Sequence, residues 1–171
     1  MSGNAVVPKL PVVTGVTIRQ ASAHDADAIA DLIAAQEPEV LVSEISRDER
    51  RDRFHYLLES GLNVVLLAET DGRLVGELTL ALGNPNPTQI GFGVHPQWRR
   101  RGVGRMLLGH AIAWADANGI HKLSAEVMSH NAAALALLGE FGFVEEGYLV
   151  NQFRRKAGGA NDAVLLARTA A

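Results

Sequence analysis

The chain has 171 residues, of which 47% are hydrophobic and 20% are charged, with a formal net charge of -3 and no cysteine. This length and apolar content suit one compact domain, and the lack of cysteine excludes disulfides, thiolate metal sites and cysteine nucleophiles. No apolar run approaches the roughly 18 residues of a membrane span, and the acidic balance disfavours a general nucleic-acid binder, so we expect a cytoplasmic protein with no membrane and no nucleic acid as partner.

The first quarter of the chain predicts an arm, a strand and a helix. Residues 1–14 are expected to form a flexible N-terminal arm, and residues 15–171 a single domain that opens with a strand at 16–19. Ser22 followed three residues later by Asp25 has the spacing of a capping box, which predicts that a helix begins there.

A second helix and a hairpin follow. The helix is charged and is predicted from about residue 46 to 59, with a buried stripe of Phe54, Leu57 and Leu58. Residues 63–70 and 73–82 are rich in β-forming residues, and Asp71-Gly72 between them is a strong two-residue turn signal. These residues therefore predict two antiparallel strands.

The second half of the chain alternates between strands and helices. The predicted elements are a strand at 88–94, a helix from about 101 to 118, a strand at 122–127, a short helix at 132–141, and strands at 143–154 and 162–168. The whole order is mixed α/β with a largely antiparallel first half, and the helix that begins near Arg101 would cross over between parallel strands.

The segment between the strand at 88–94 and the next helix carries the chemistry. Its sequence is Val94-His95-Pro96-Gln97-Trp98-Arg99-Arg100-Arg101-Gly102-Val103-Gly104-Arg105-Met106. The first N–H groups of a helix lack internal partners and carry partial positive charge. Gly102 and Gly104 would let a phosphate approach those groups, and the arginines add charge-assisted hydrogen bonds. We interpret this segment as a pyrophosphate-binding turn, with ordinary turn glycines on a solvated basic face as the alternative.

Two other nucleotide-binding patterns are excluded. A P-loop needs Gly-Lys followed by Ser or Thr, whereas Gly104 is followed by Arg105 and Met106. A dinucleotide-binding fold places its glycines after the first strand of a βαβ unit rather than midway along the chain.

Two motifs together resemble a known family. Arg99-x-x-Gly102-x-Gly104 resembles the Gln/Arg-x-x-Gly-x-Gly/Ala signature of the GNAT superfamily of N-acetyltransferases, and the run from Asn131 to Phe143 is similar to its Asn-x-x-Ala-x-x-Leu-Tyr-x-x-x-Gly-Phe. The resemblance extends over about residues 16–168. It implies an α/β fold of α+β type, with a mixed, twisted sheet of about six to seven strands flanked by about four helices.

The resemblance implies acetyl-CoA as cofactor and direct transfer of its acetyl group to a primary amine. The amine would belong to a small molecule, such as an amino acid or a polyamine, or to a protein N-terminus. The Val94 N–H would face the thioester oxygen, and Asn131, a helix N-cap by its position, would also bond the cofactor arm. The cofactor-binding residues would be Phe92, Val94, Arg99, Arg100, Gly102, Val103, Gly104, Arg105 and Asn131. Gly91 and Gly93 suit close backbone approach or a local packing need.

Leu138 departs from the family pattern. Many relatives carry a tyrosine there, which protonates the departing thiolate, and leucine cannot. Ser129, His130 and Tyr148 are the nearby candidates for that acid, unless the thiol is acidic enough to leave unaided. Leu138 also motivates an alternative function: an acyl-CoA-binding regulator or degenerate relative with little turnover.

The proton of the acceptor ammonium also needs a base, since an alkylammonium has a pKa of roughly 10. Glu77 is the first candidate, with His95 and Glu126 as alternatives. The six histidines show no metal-ligand spacing, so no metal is proposed. The loops at 36–46 and 83–88 are expected to choose the acceptor, and acidic side chains near the first suit an ammonium group: Glu37, Glu39, Glu44 and Asp48. A homodimer is an expectation from the resemblance alone.

Overall fold

The computed structural model describes residues 10–36, 46–83, 87–155 and 158–170. The strands are β1 (Thr17–Gln20), β2 (Asn63–Thr70), β3 (Arg73–Ala81), β4 (Thr88–Val94), β5 (Lys122–Met128), β6 (Val144–Arg154) and β7 (Ala160–Thr169). The α-helices are α1 (Ala26–Ala35), α2 (Arg47–Glu59), α3 (Val103–Ala117) and α4 (Ala132–Glu140). Over these residues the strands form one sheet in the order β1-β2-β3-β4-β5-β7-β6, which confirms the predicted mixed sheet with flanking helices.

Local sequence signals explain several of these boundaries. Before α2, the Glu49 carboxylate accepts a hydrogen bond from the Ser46 N–H at 2.7 Å, and the Ser46 hydroxyl accepts one from the Glu49 N–H at 3.2 Å. The turn between β2 and β3 places Asp71 at φ 47° and Gly72 at φ 71°, the left-handed pair that a two-residue hairpin requires. The predicted hairpin is thereby confirmed.

The helices cover opposite faces of the sheet. Successive strand residues point to opposite faces. Accordingly, Leu66 belongs to the main core, which lies beneath α3, whereas Leu67 belongs to the smaller core beneath α1 and α2. Phe54 and Leu58 of α2 pack against that smaller core but stay half-buried, and no residue of α2 is fully buried. The predicted buried stripe of α2 was therefore wrong in degree, because α2 is the outer layer and packs largely on α1.

The sheet opens between β4 and β5. These two strands are parallel, as predicted from the crossover of α3, but they pair only at Thr88↔Leu123 and Gln89↔Ser124. Beyond that point β4 continues to pair with β3 as far as Val94, and β5 continues with β7 as far as Met128. The two strands therefore diverge toward their C-terminal ends and leave a wedge between them, which we call the β4–β5 wedge.

The start of the described chain lies against α3. Pro11 Cδ is 2.8 Å from the position that a Cβ on Gly109 would take, and Val13 packs against the main core. Of the predicted arm, residues 1–9 lie outside the described residues, and the division into an arm and one domain stays a prediction. No helix within the described ranges has the length and apolar character needed to cross a bilayer.

Candidate active site

A cavity of about 1230 Å³ lies at the β4–β5 wedge. Its walls come from β4, the turn before α3, β5 and α4, and it exceeds the roughly 300–1000 Å³ of ordinary small-molecule pockets. The cavity therefore has room for a ligand larger than an ordinary small molecule. All of the residues predicted to bind a cofactor line this cavity: Phe92, Val94, Arg99, Arg100, Gly102, Val103, Gly104, Arg105 and Asn131.

The turn before α3 presents open backbone N–H groups to the cavity. Arg100 has φ 61° and Gly102 has φ 90°, a left-handed arrangement that turns successive N–H groups toward one concavity. The first hydrogen bond of the helix runs from the Met106 N–H to the Gly102 carbonyl at 3.0 Å. The N–H groups of the residues between them are thus outside the helical ladder, and the helix dipole adds positive charge where they point.

Gly104 keeps this turn close to its neighbours. A Cβ at Gly104 would lie 3.3 Å from Leu137 Cδ2 and 3.7 Å from Val94 Cγ2. A side chain at this position would therefore crowd Leu137 and take up space where the N–H groups face the cavity. The arrangement fits an anion such as a diphosphate.

The arginines of this segment have different partners. Arg99 donates from Nε to the Val94 carbonyl at 3.1 Å and from Nη2 to the Gln36 carbonyl at 3.2 Å, so it joins the end of β4 to the end of α1. Arg105 forms an ion pair with Glu140 of α4, and both residues line the cavity. Arg101 lies over the Trp98 ring, 5.0 Å from its centroid. Much of this positive charge thus already has partners within the protein.

The end of β4 points one backbone donor into the wedge. The His95 N–H donates to the Val75 carbonyl of β3 at 2.9 Å. Because neighbouring N–H groups along a strand point to opposite edges, the Val94 N–H points away from β3 and toward the opening.

Glu77 lies beside this strand but is closed off from the cavity. It is 8% exposed, stands in register with Leu67 and Gly93, and is absent from the cavity lining. Burial raises the pKa of its carboxyl to about 8, and within the described part of the chain no hydrogen-bond or ion-pair partner offsets that burial.

Glu126 of β5, by contrast, lines the cavity. Its carboxylate accepts a hydrogen bond from Gln152 Nε2 at 2.7 Å, which orients it. His95, the third predicted base, accepts from the Gln97 N–H through Nδ1 at 3.3 Å and lies outside the lining. The structure therefore brings one of the three base candidates into the cavity wall.

The candidate acids divide in the same way. His130 lines the cavity, whereas Ser129 and Tyr148 do not. The Tyr148 hydroxyl donates to Asp162 at 2.8 Å, and the Ser129 N–H donates to the Asp162 carbonyl at 2.9 Å. Leu138 is fully buried in the main core, so its side chain takes no part in the cavity wall.

Asn131 has the structural role that its position predicted. Its side-chain oxygen accepts from the Ala134 N–H at 3.2 Å and caps α4, which confirms the N-cap. The same residue lines the cavity, so its amide also lies where a ligand could reach it.

The predicted acceptor loop begins at residue 36, but sequence reasoning did not single out Gln36 as a residue of this site. Its side-chain amide lies over Gly93, in the space that a Cβ there would take, and it lines the cavity. The available signal was the pair Gly91 and Gly93, which marks a face of β4 without side chains. Gly93 serves packing against Gln36, while a Cβ at Gly91 would meet nothing within 4 Å.

Parts of the predicted acceptor loops lie outside the described residues, including Glu37, Glu39, Glu44 and residues 84–86. Asp48 is described and pairs with Arg51 at 3.2 Å. Among the residues that the structure covers, no group of three or more histidine or carboxylate side chains could hold a metal ion.

Comparison with known proteins links this geometry to one family. A family model described as the acetyltransferase (GNAT) family matches residues 26–143. The ribosomal protein bS18-alanine N-acetyltransferase of Salmonella typhimurium is 35% identical over 109 residues, which make up 64% of this chain and 72% of that enzyme. The match to the enzyme of the same name in Escherichia coli K12 is also 35% identical but spans about half of that protein, 53%.

Solved structures agree in fold. A ribosomal-protein-alanine N-acetyltransferase from Brucella melitensis superposes with a TM-score of 0.78 at 25% identity, covering 90% of this chain and 99% of that one. A protein of Salmonella typhimurium solved with its cofactor acetyl-CoA superposes with a TM-score of 0.75 at 24% identity, covering 91% of this chain and 94% of that one.

Proposed function

Because the chain belongs to the acetyltransferase (GNAT) family and is therefore an acyltransferase, we propose that it moves an acetyl group from acetyl-CoA to a free amine. The acceptor is the N-terminus of a protein, in keeping with the names of its relatives, or a small molecule with a primary amine. The observation that carries this proposal is the meeting of two features in one cavity: the open N–H groups at the start of α3 and the β4–β5 wedge.

Acetyl-CoA, when bound, supplies the acetyl group as an activated thioester. The residues present fit it, because the N–H groups of Val103, Gly104 and Arg105 would hold its diphosphate at the positive end of α3. The Glu140 carboxylate that pairs with Arg105 would share that arginine with a phosphate. Asn131 would offer its amide to the rest of the cofactor arm.

The Val94 N–H would hold the oxygen of the carbonyl under attack. A single backbone donor aimed at developing negative charge contributes about 3 kcal/mol of barrier lowering. This donor is fixed by the ladder between β3 and β4, so it needs no rearrangement when charge develops.

Glu126 is our choice for the group that takes the ammonium proton, directly or through water. It lies in the cavity wall and is oriented by Gln152. Glu77 is the weaker candidate, because it is buried and absent from the cavity lining, and because burial raises the pKa of its carboxyl to about 8, so that most of it is protonated at pH 7. The leaving thiolate would receive its proton from His130, since Leu138 offers none and His130 lines the cavity.

The test is an acetyl-transfer assay with acetyl-CoA and a panel of amines: alanine-terminated peptides, amino acids and polyamines. The release of free CoA measures the reaction. We expect turnover with at least one class of amine and modification of its nitrogen by mass spectrometry. Binding of acetyl-CoA without turnover on any amine would contradict the proposal and would favour the acyl-CoA-binding regulator. The cytoplasmic location and the homodimer stay predictions.

A further inference from the structure

The backbone of Gln36 is fixed at the end of β4. Its N–H donates to the Leu32 and Ile33 carbonyls at 3.2 Å each, which closes α1. Its carbonyl accepts from Arg99, and the same guanidinium binds the Val94 carbonyl. One arginine therefore holds the last turn of α1 against the strand whose final N–H points into the wedge.

The side chain of Gln36 occupies space that is open only because residue 93 is a glycine. It lies over Gly93, where any Cβ would overlap with the amide. Gly91 stands two residues earlier and hence on the same face of the strand, and the space over it is open. The amide thus lies at the edge of an open part of the cavity, one residue from Val94.

The amide nitrogen of Gln36 is buried and has no hydrogen-bond partner among the residues described. Buried donors in native proteins are nearly always paired, because an unpaired one keeps its full cost of desolvation. Glu77, in register with Gly93 on the next strand, does not bond to it. A partner that arrives with the ligand would satisfy this donor.

We propose that the Gln36 amide donates a hydrogen bond to a carbonyl oxygen next to the acceptor's amine. The inference rests on the proposed function and names its substrate class: α-amino acyl compounds, above all peptide N-termini, rather than alkylamines. The amine of such a compound must reach the acetyl carbonyl whose oxygen the Val94 N–H would hold. The compound's own carbonyl is separated from that amine by a single carbon atom. The Gln36 amide lies over Gly93, which precedes Val94 by one strand residue, a rise of about 3.3 Å, so it is in reach of that oxygen.

The experiment compares two acceptors that share a CH3–CH–NH2 unit, L-alaninamide and the slightly smaller sec-butylamine, which lacks the carbonyl. Wild type is compared with Gln36→Leu, and Gln20→Leu on the exposed face of β1 serves as the matched control. We expect Gln36→Leu to lower kcat/KM for alaninamide about tenfold and to leave sec-butylamine within twofold. Calorimetry in the presence of CoA should show that Gln36→Leu binds an alanine-terminated tripeptide more weakly than wild type by a similar factor.

The thermal midpoint separates this role from a structural one. Since Gln36→Leu breaks no side-chain hydrogen bond in the described structure, its melting temperature should not fall below that of wild type. Equal losses on both acceptors, no loss on alaninamide, or a fall of several degrees would each overturn the inference. If wild type acetylates sec-butylamine and alaninamide equally well, the inference fails while the proposed function stands; if it acetylates no amine, both fail.

Discussion

Glu77→Gln should stabilise the protein at neutral pH. The carboxyl is buried with a pKa raised from 4.5 to about 8, so the folded chain keeps it protonated at pH 7, whereas the unfolded chain ionises it. Folding therefore takes up a proton, and this lowers stability as the pH rises from 4.5 toward 8. Glutamine has a similar shape and never ionises, so the variant escapes that loss.

The size of the effect follows from the pKa. One pKa unit corresponds to 1.36 kcal/mol, so the interval between pH 4.5 and pH 7 gives Glu77→Gln an advantage of about 3 kcal/mol. For a chain of this size, that corresponds to a rise in melting temperature of about 6–12 °C at pH 7. Near pH 4.5 the two proteins should have the same stability, and above pH 8 the difference should stop growing.

Urea unfolding of both proteins at several values between pH 4.5 and 8.5 measures the difference directly. Glu145→Gln, at an exposed position on β6, is the matched control and should follow wild type throughout. A difference between Glu77→Gln and wild type that does not change with pH would refute the reasoning. The same variant should retain acetyl transfer if Glu126 is the base.

Three further variants test the site. Gly102→Glu should abolish the rise in melting temperature that acetyl-CoA causes, because it places a carboxylate at the open N–H groups. The control is Gly119→Glu, which is also at positive φ but in an open turn, and it should keep that rise. Loss of the rise in both variants would contradict our assignment of the diphosphate site. Glu126→Gln should lower kcat about 100-fold without changing the KM for acetyl-CoA, and an unaffected kcat would exclude Glu126 as the base. Asn131→Ala should lower the free energy of unfolding by about 1 kcal/mol through loss of its bond to Ala134, as urea unfolding would show; no change would mean that the cap contributes nothing.

The elements themselves were readable from the sequence because their signals are local. The Asp71-Gly72 pair predicted the hairpin, and Ser46 with Glu49 predicted the start of α2. The alternation of apolar residues with small or polar ones predicted β4. The turn before α3 was also readable, since the backbone of a helix N-terminus needs no distant partner.

What depends on distant neighbours was not readable. No local pattern places β7 between β5 and β6. This placement brings Asp162 to the Tyr148 hydroxyl and to the Ser129 N–H, and both of these residues lie outside the cavity wall. A run of three arginines does not reveal that Arg99 binds two backbone carbonyls. Nor does the sequence place Gln36 over Gly93, because nearly sixty residues separate them along the chain.

The early parting of β4 and β5 divides the sheet, though not the hydrophobic core beneath it, into two blocks. One contains β1 to β4 and the other β5, β7 and β6, and between these strands two register pairs join them. Each block presents a bare backbone edge to the gap, and bare edges accept extended chains that carry amides of their own. A ligand of that kind would form hydrogen bonds with both edges and so bridge the gap between the two halves of the sheet, even when no reaction takes place.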